Sequence, residues 1–102
     1  MKDRDLYGGL IRLHILHHAS HEPIFGVGIM GELARHGYKL SAGTLYPILH
    51  SLERHGYLVA EDDVRGGRRR RNYVATEAGK EMLRLGKDRV RELYRELFED
   101  EE

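Results

Sequence analysis

The chain has 102 residues and a mass of 11.8 kDa, a one-domain length, with 40% hydrophobic and 33% charged residues. It has no cysteine, which excludes disulfides, thiolate metal sites and cysteine nucleophiles. Seventeen basic residues balance seventeen acidic ones, yet residues 64–73 carry five arginines and no acid, a local attraction for phosphate inside a neutral chain.

In chain order, Leu6, Tyr7, Leu10, Ile11, Leu13, Ile15 and Leu16 predict a first helix from Leu6 to about Ala19. Its apolar positions run nearly all round, so a partner subunit is expected to complete its burial. Pro23 biases His21-Glu22 toward extended backbone and suits the opening of a second helix. Phe25, Ile29, Met30 and Leu33 give that helix one stripe as far as His36, and Gly37 fits its C-terminal cap. Its glycines, Gly26, Gly28 and Gly31, suggest close helix packing. Ser41 is placed to cap a third helix, in which Leu45, Ile48, Leu49 and Leu52 form the inward face. Pro47 lies within it, which predicts a kink or a late start. Gly56 ends it.

Tyr57-Leu58-Val59-Ala60 and Asn72-Tyr73-Val74-Ala75 predict short strands, with Gly66-Gly67 at the hairpin tip. Thr76 then caps a long last helix, helped by Glu77 in its first turn. In it, Leu83, Val90 and Leu97 repeat every seven residues, with Gly79, Gly86 and Leu93 four before each. Such a heptad seam with glycines invites the close approach of another helix. The acidic tail Glu99-Asp100-Glu101-Glu102 is expected to fray. The fold class is therefore mainly α with a small β-hairpin. It is a winged helix-turn-helix over about 6–76 followed by a dimerisation helix over about 77–98, one domain spanning 1–102.

A helix-turn-helix with a basic wing points to double-stranded DNA. The recognition helix (41–55) offers an outward face of Ala42, Gly43, Thr44, Tyr46, Pro47, His50, Ser51 and Arg54, and Lys39 and Ser41 precede it. The wing (64–72) carries Arg65, Arg68, Arg69, Arg70 and Arg71, suited to phosphates or a narrow minor groove. Alternation along a strand lets only two or three of them reach one duplex. Leu6, Leu10 and Leu13 of the first helix, with Leu83, Gly86, Val90, Leu93, Tyr94 and Leu97 of the last, are the expected dimer contacts.

The run Ser41-Ala42-Gly43-Thr44-Leu45-Tyr46-Pro47-Ile48-Leu49-His50-Ser51-Leu52-Glu53-Arg54-His55-Gly56-Tyr57-Leu58 resembles the signature of the PadR-type bacterial transcription regulators. So do Gly66-Gly67-Arg68-Arg69-Arg70-Arg71-Asn72-Tyr73 and Thr76-Glu77-Ala78-Gly79, and the likeness runs in order from Leu6 to Leu97. It is closest to the shorter branch, whose dimerisation region is one C-terminal helix. The resemblance implies a homodimeric repressor that leaves its operator on binding a small-molecule effector. It also implies DNA contacts by Thr44, Tyr46 and the wing arginines, and a dimer formed by the first and last helices. Family members can hold planar aromatic compounds between subunits; here Tyr7, Tyr94 and Phe98 are the candidates to stack them.

Other readings stay open. His14, His17, His18 and His21 continue one stripe of the first helix, a spacing that suits a divalent metal, a pH-responsive contact, or plain interface histidines. Otherwise no cofactor is expected. A winged helix serving as a protein-interaction module is the alternative from another class. No nucleophile elbow, Walker loop or dinucleotide fingerprint occurs, so no enzyme is expected. Glu61, Asp62 and Asp63 read as solubilising charges, of which only Glu61 and Asp63 share a strand face. The start Met1-Lys2-Asp3-Arg4-Asp5 has no signal-type apolar core, and no stretch approaches the ~18 apolar residues of a spanning helix, so the expectation is a cytoplasmic protein with no membrane partner.

Overall fold

Apolar side chains from every element except the last helical turn meet in one core, in which Ile15, Leu33, Leu45 and Leu49 are completely shielded. Each such burial stabilises by roughly 1.5–3 kcal/mol relative to exposure. The computed structural model describes residues 3–99, so the expected fraying at 100–102 lies outside the described residues. The order is α1 (Asp3–His21), α2 (Gly26–Arg35), α3 (Ala42–Arg54), β1 (Leu58–Arg65), β2 (Arg68–Ala75) and α4 (Glu77–Tyr94). A wider π-helical turn, Arg95–Glu99, continues α4. This is a winged helix-turn-helix with a trailing helix, as the periodicities predict. Among the described residues, no helix is long and apolar enough to cross a membrane.

The helix ends follow local chemistry. α2 and α3 both finish in a Schellman motif: Tyr38 N–H donates to the Leu33 carbonyl and Tyr57 N–H to that of Leu52, both at 2.9 Å. The left-handed residues these motifs need are Gly37 and Gly56, at φ +93° and +80°. α1 runs further than predicted at both ends and is kinked at Tyr7 (φ −107°, ψ 15°). α2 begins later than Pro23 suggested, because Ile24 exchanges two backbone hydrogen bonds, 2.9 and 2.7 Å, with Tyr73 of β2. That bridge keeps the backbone extended through Phe25 (φ −135°, ψ 157°), and helix follows only from Gly26.

Two further expectations fail for physical reasons. α3 is uninterrupted from Ala42 to Arg54 despite Pro47. Pro47 and Gly43 are both exposed, so the Gly43 carbonyl that loses its helical donor faces water, which replaces it. The strands are longer than predicted and pair without a break from Leu58↔Ala75 to Arg65↔Arg68. Gly66 and Gly67 both take positive φ, +56° and +77°. That is the twist-matched two-residue turn which lets pairing continue to the tip.

α4 is fastened at its start. The Thr76 hydroxyl accepts from Gly79 N–H (3.0 Å) and donates to the Gly56 carbonyl (2.6 Å). Gly79 lies flush on the Tyr57 carbonyl, leaving no room for a Cβ. One turn on, Leu83 is buried in the core. At Gly86 a Cβ would strike the Leu13 side chain of α1. Leu83, expected at a dimer seam, is therefore used within the protomer, whereas Gly86 packs on Leu13 and stays half-buried. Of the glycines in α2, Gly26 makes the predicted close packing, against the Tyr46 ring, whereas Gly31 has open space. Gly79→Ala should cost about 1–3 kcal/mol, since it collides with backbone that has no freedom to move. Gly86→Ala, against the flexible end of Leu13, should cost less. Urea unfolding of the two variants checks the order.

Candidate nucleic-acid interface

α3 buries Leu45, Ile48, Leu49 and Leu52 and turns the opposite side outward. On that side Lys39, Ser41, Ala42, Gly43, Pro47, His50 and Arg54 are exposed, and Thr44 and Ser51 are half-buried. Ser41 occupies the N-cap position, but its side chain does not bond a backbone amide. Instead its hydroxyl donates to Thr44 Oγ1 at 3.3 Å. The unbonded amides of the first turn are thus left to solvent or to an incoming anion. Asp5 and Arg12 of α1 share a shallow cleft with Gly43, Thr44 and Pro47. Tyr46 is half-buried as well: its hydroxyl end rests on Gly26 and its ring packs against the core. The reason is the absence of a side chain at Gly26, a tertiary contact that the α3 periodicity does not contain.

The wing is less free a cation than its run of arginines suggests. Arg71 bonds both carboxylate oxygens of Glu53 on α3, at 3.0 and 3.3 Å. Arg70 lies 4.0 Å over the Phe25 ring and 3.8 Å from Asp63, its directly opposed strand partner. That posture leaves Arg70 Nε buried without a hydrogen-bond partner. Arg69 stands 4.0 Å from Asp62. Asp62 and Asp63, read as solubilising charges, are therefore cross-strand partners of the arginines. Arg68 is exposed and makes no ion pair among the described residues. The Arg65 side chain lies outside the described residues. Burial raises the Tyr73 phenol above its ordinary range, opposed by the neighbouring Arg71 guanidinium.

A second feature is apolar. From Arg84 to Glu99 every residue of the last helix except Gly86 is exposed, including Leu85, Val90, Leu93, Tyr94, Leu97 and Phe98. Leu6 and Leu10 of α1 are exposed beside it, and the two helices border a long open groove. Tyr94 and Phe98 pack ring to ring at 5.1 Å, whereas Tyr7 meets Tyr38 at 6.3 Å. The three aromatics considered for stacking a planar compound thus do not form one cluster within a single chain.

Residues 15–85 match the family described as Transcriptional regulator PadR-like family. The chain belongs to the PadR-like family of transcriptional regulators. Over 95 residues it is 48% identical to the transcriptional regulator Rv3488 of Mycobacterium tuberculosis, covering 93% of this chain and 89% of that one. A crystal structure of a PadR family transcriptional regulator from Eggerthella lenta is 31% identical. It superposes with a TM-score of 0.80 over 91% of this chain and 82% of that chain. Bacillus subtilis PadR in complex with operator DNA has the same fold, with a TM-score of 0.66 and 19% identity, over 74% of this chain and 45% of that chain.

The four α1 histidines lie along one stripe, the His17 ring 5.2 Å from that of His18. His17 and His21 pair with each other, ring centroids 4.5 Å apart, and His21 Nδ1–H donates to the His17 carbonyl at 2.8 Å. His14 and His18 face the end of α2 and meet His36 there, a residue the sequence alone did not implicate. Its only signal was a histidine beside the capping Gly37, and nothing in sequence spacing relates it to α1. Burial, then the neighbouring His36 and His18, hold the His14 imidazole below its usual range. For the wing, Arg70→Ala should lower the melting temperature by a few degrees, because a stacked and ion-paired guanidinium contributes about 1–2 kcal/mol. Arg68→Ala should leave it unchanged. A thermal melt followed by circular dichroism separates them.

Proposed function

We propose that this PadR-like protein is a homodimeric DNA-binding repressor, with α3 entering the major groove and the wing tip on flanking phosphate or minor groove. The observation that carries the reading is the exposed face of α3, fastened through Glu53 and Arg71 to a wing that ends in arginines. Rigid coupling of that kind would fix the distance between a groove-reading helix and its phosphate clamp. Operator DNA bound to the Bacillus subtilis relative supports the same use of the fold. Arg68 and Arg69 are the arginines best placed for phosphate, being more exposed than Arg70 and less tightly paired than Arg71.

The occupant of the α1–α4 groove is a second copy of the chain. An apolar helix stripe exposed for its full outer length matches itself about a two-fold axis. Leu6, Leu10, Val90, Leu93, Tyr94 and Leu97 would then meet their counterparts, with Leu13 at the edge of the contact. A two-fold dimer would place its recognition helices on half-sites about 34 Å apart, one DNA turn, or a multiple of it. An effector binding in the groove between subunits would change that separation and release the operator.

Binding of fluorescent duplexes at two salt concentrations tests the DNA reading. Affinity should fall steeply with salt, and Arg68→Ala/Arg69→Ala should reduce the slope by about 0.9 for each phosphate that is no longer neutralised. Asp62→Asn should tighten binding at low salt by removing the carboxylate nearest Arg69. An affinity independent of salt, or indifferent to these arginines, would instead favour a protein-interaction module. Leu93→Asp/Leu97→Asp should shift the protein from dimer to monomer in sedimentation equilibrium and abolish preference for a palindromic site.

A further inference from the structure

His14 and His18 stand one helical turn apart on α1 and face the C-terminus of α2, where His36 is the capping residue. One ligand nitrogen from each of the three imidazoles lies within 4.8 Å of the other two. The rings of His14 and His36 stack at 4.7 Å. A carboxylate completes the group: Glu32 Oε1 is 3.6 Å from Nε2 of both His18 and His36. Its other oxygen is bonded to Arg35, which holds the carboxylate in place.

Two histidine rings outside this group are tied to the backbone. His21 and His55 each donate Nδ1–H to a backbone carbonyl four residues earlier, at 2.8 and 2.7 Å. Among the described residues, the side chains of His14, His18 and His36 make no hydrogen bond, although His14 and His18 are half-buried. Three imidazoles and an oriented carboxylate thus face one small volume. We propose that His14, His18 and His36, with Glu32, hold a divalent transition-metal ion of the zinc, cobalt or nickel type.

Imidazole nitrogens and a carboxylate oxygen suit such borderline cations, and the absence of cysteine removes competition from softer ligands. In a tetrahedral site with metal–nitrogen distances of about 2.0 Å, the ligand atoms are about 3.3 Å apart. The cluster must therefore contract by at most about 1.5 Å, a distance that rotation of the imidazoles supplies. Arg35 bonded to Glu32 is the kind of outer partner that orients a metal-binding carboxylate. The bound ion would clamp the end of α2 onto α1, one residue before the Gly37 turn that leads to α3. This site is independent of the DNA-binding reading, and its test needs the protein alone.

The test is titration of the full chain with Co²⁺, following the visible absorption of tetrahedral cobalt, and displacement by Zn²⁺. One ion per chain is expected, with affinity reduced about 100-fold or more in His14→Ala and in His36→Asn. His17→Ala/His21→Ala should bind as the parent does. Because His36 is exposed, His36→Asn should fold normally, which circular dichroism verifies. As a readout on the unaltered protein, Zn²⁺ should shift the imidazole nitrogen NMR signals of His14, His18 and His36 and leave those of His17 and His21 in place. Equal metal affinity in the parent and His36→Asn would overturn the assignment. So would loss of binding in His17→Ala/His21→Ala with His36→Asn unaffected, which would return the site to the α1 stripe.

Discussion

One threonine hydroxyl sets the geometry from which the rest of the molecule is hung. Thr76 Oγ1 donates to the Gly56 carbonyl at the end of α3 and accepts from Gly79 N–H at the start of α4. Its own amide donates to the Tyr57 carbonyl at 3.1 Å, just where β1 begins. The end of α3, the start of β1 and the first turn of α4 are thereby joined at one point. Gly79 flush against the Tyr57 carbonyl permits this, since a side chain there would drive α4 away. An N-cap threonine contributes about 1 kcal/mol to its own helix. It also has a positional effect, since the same hydroxyl ties the first turn of α4 to the end of α3.

Charge is organised around the wing in a similar way. The arginine run looks like an uncompensated cation, but Glu53, Asp62 and Asp63 stand opposite three of its members. Exposed pairs of this kind add little stability, typically ~0–1 kcal/mol. They do place carboxylates beside three of the guanidinium groups. Phosphate would have to displace a carboxylate at Arg69, and would meet no such competitor at Arg68.

Apolar surface is divided between the protomer and its proposed partner. On α1, Ile11, Ile15, Leu16 and Ala19 are buried within the chain, and Leu6 and Leu10 are left outside. On α4 the division falls along the helix: Gly79 and Leu83 belong to the core, and beyond Gly86 the apolar side chains are exposed. The molecule is accordingly elongated, 59 × 29 × 21 Å. Such a helix gains little from its own chain, so the proposed dimer would supply the burial that one protomer lacks.

Element types, their order and the family were legible in the sequence because they rest on local rules. Leu45, Ile48, Leu49 and Leu52 mark an inward helix face by spacing alone, and Gly66-Gly67 or Thr76 act on residues next to them in the chain. The tertiary structure decided whatever depended on residues distant in sequence. Ile24 bonding to Tyr73 moved the start of α2, and Gly26 beneath Tyr46 drew that ring inward. Leu83 of the heptad seam went into the protomer's core, and His36 joined His14 and His18 across two helices. A pattern within one helix specifies which side chains share a face. Which neighbour that face meets is set by how the helices cross, and no periodicity within one element encodes that crossing.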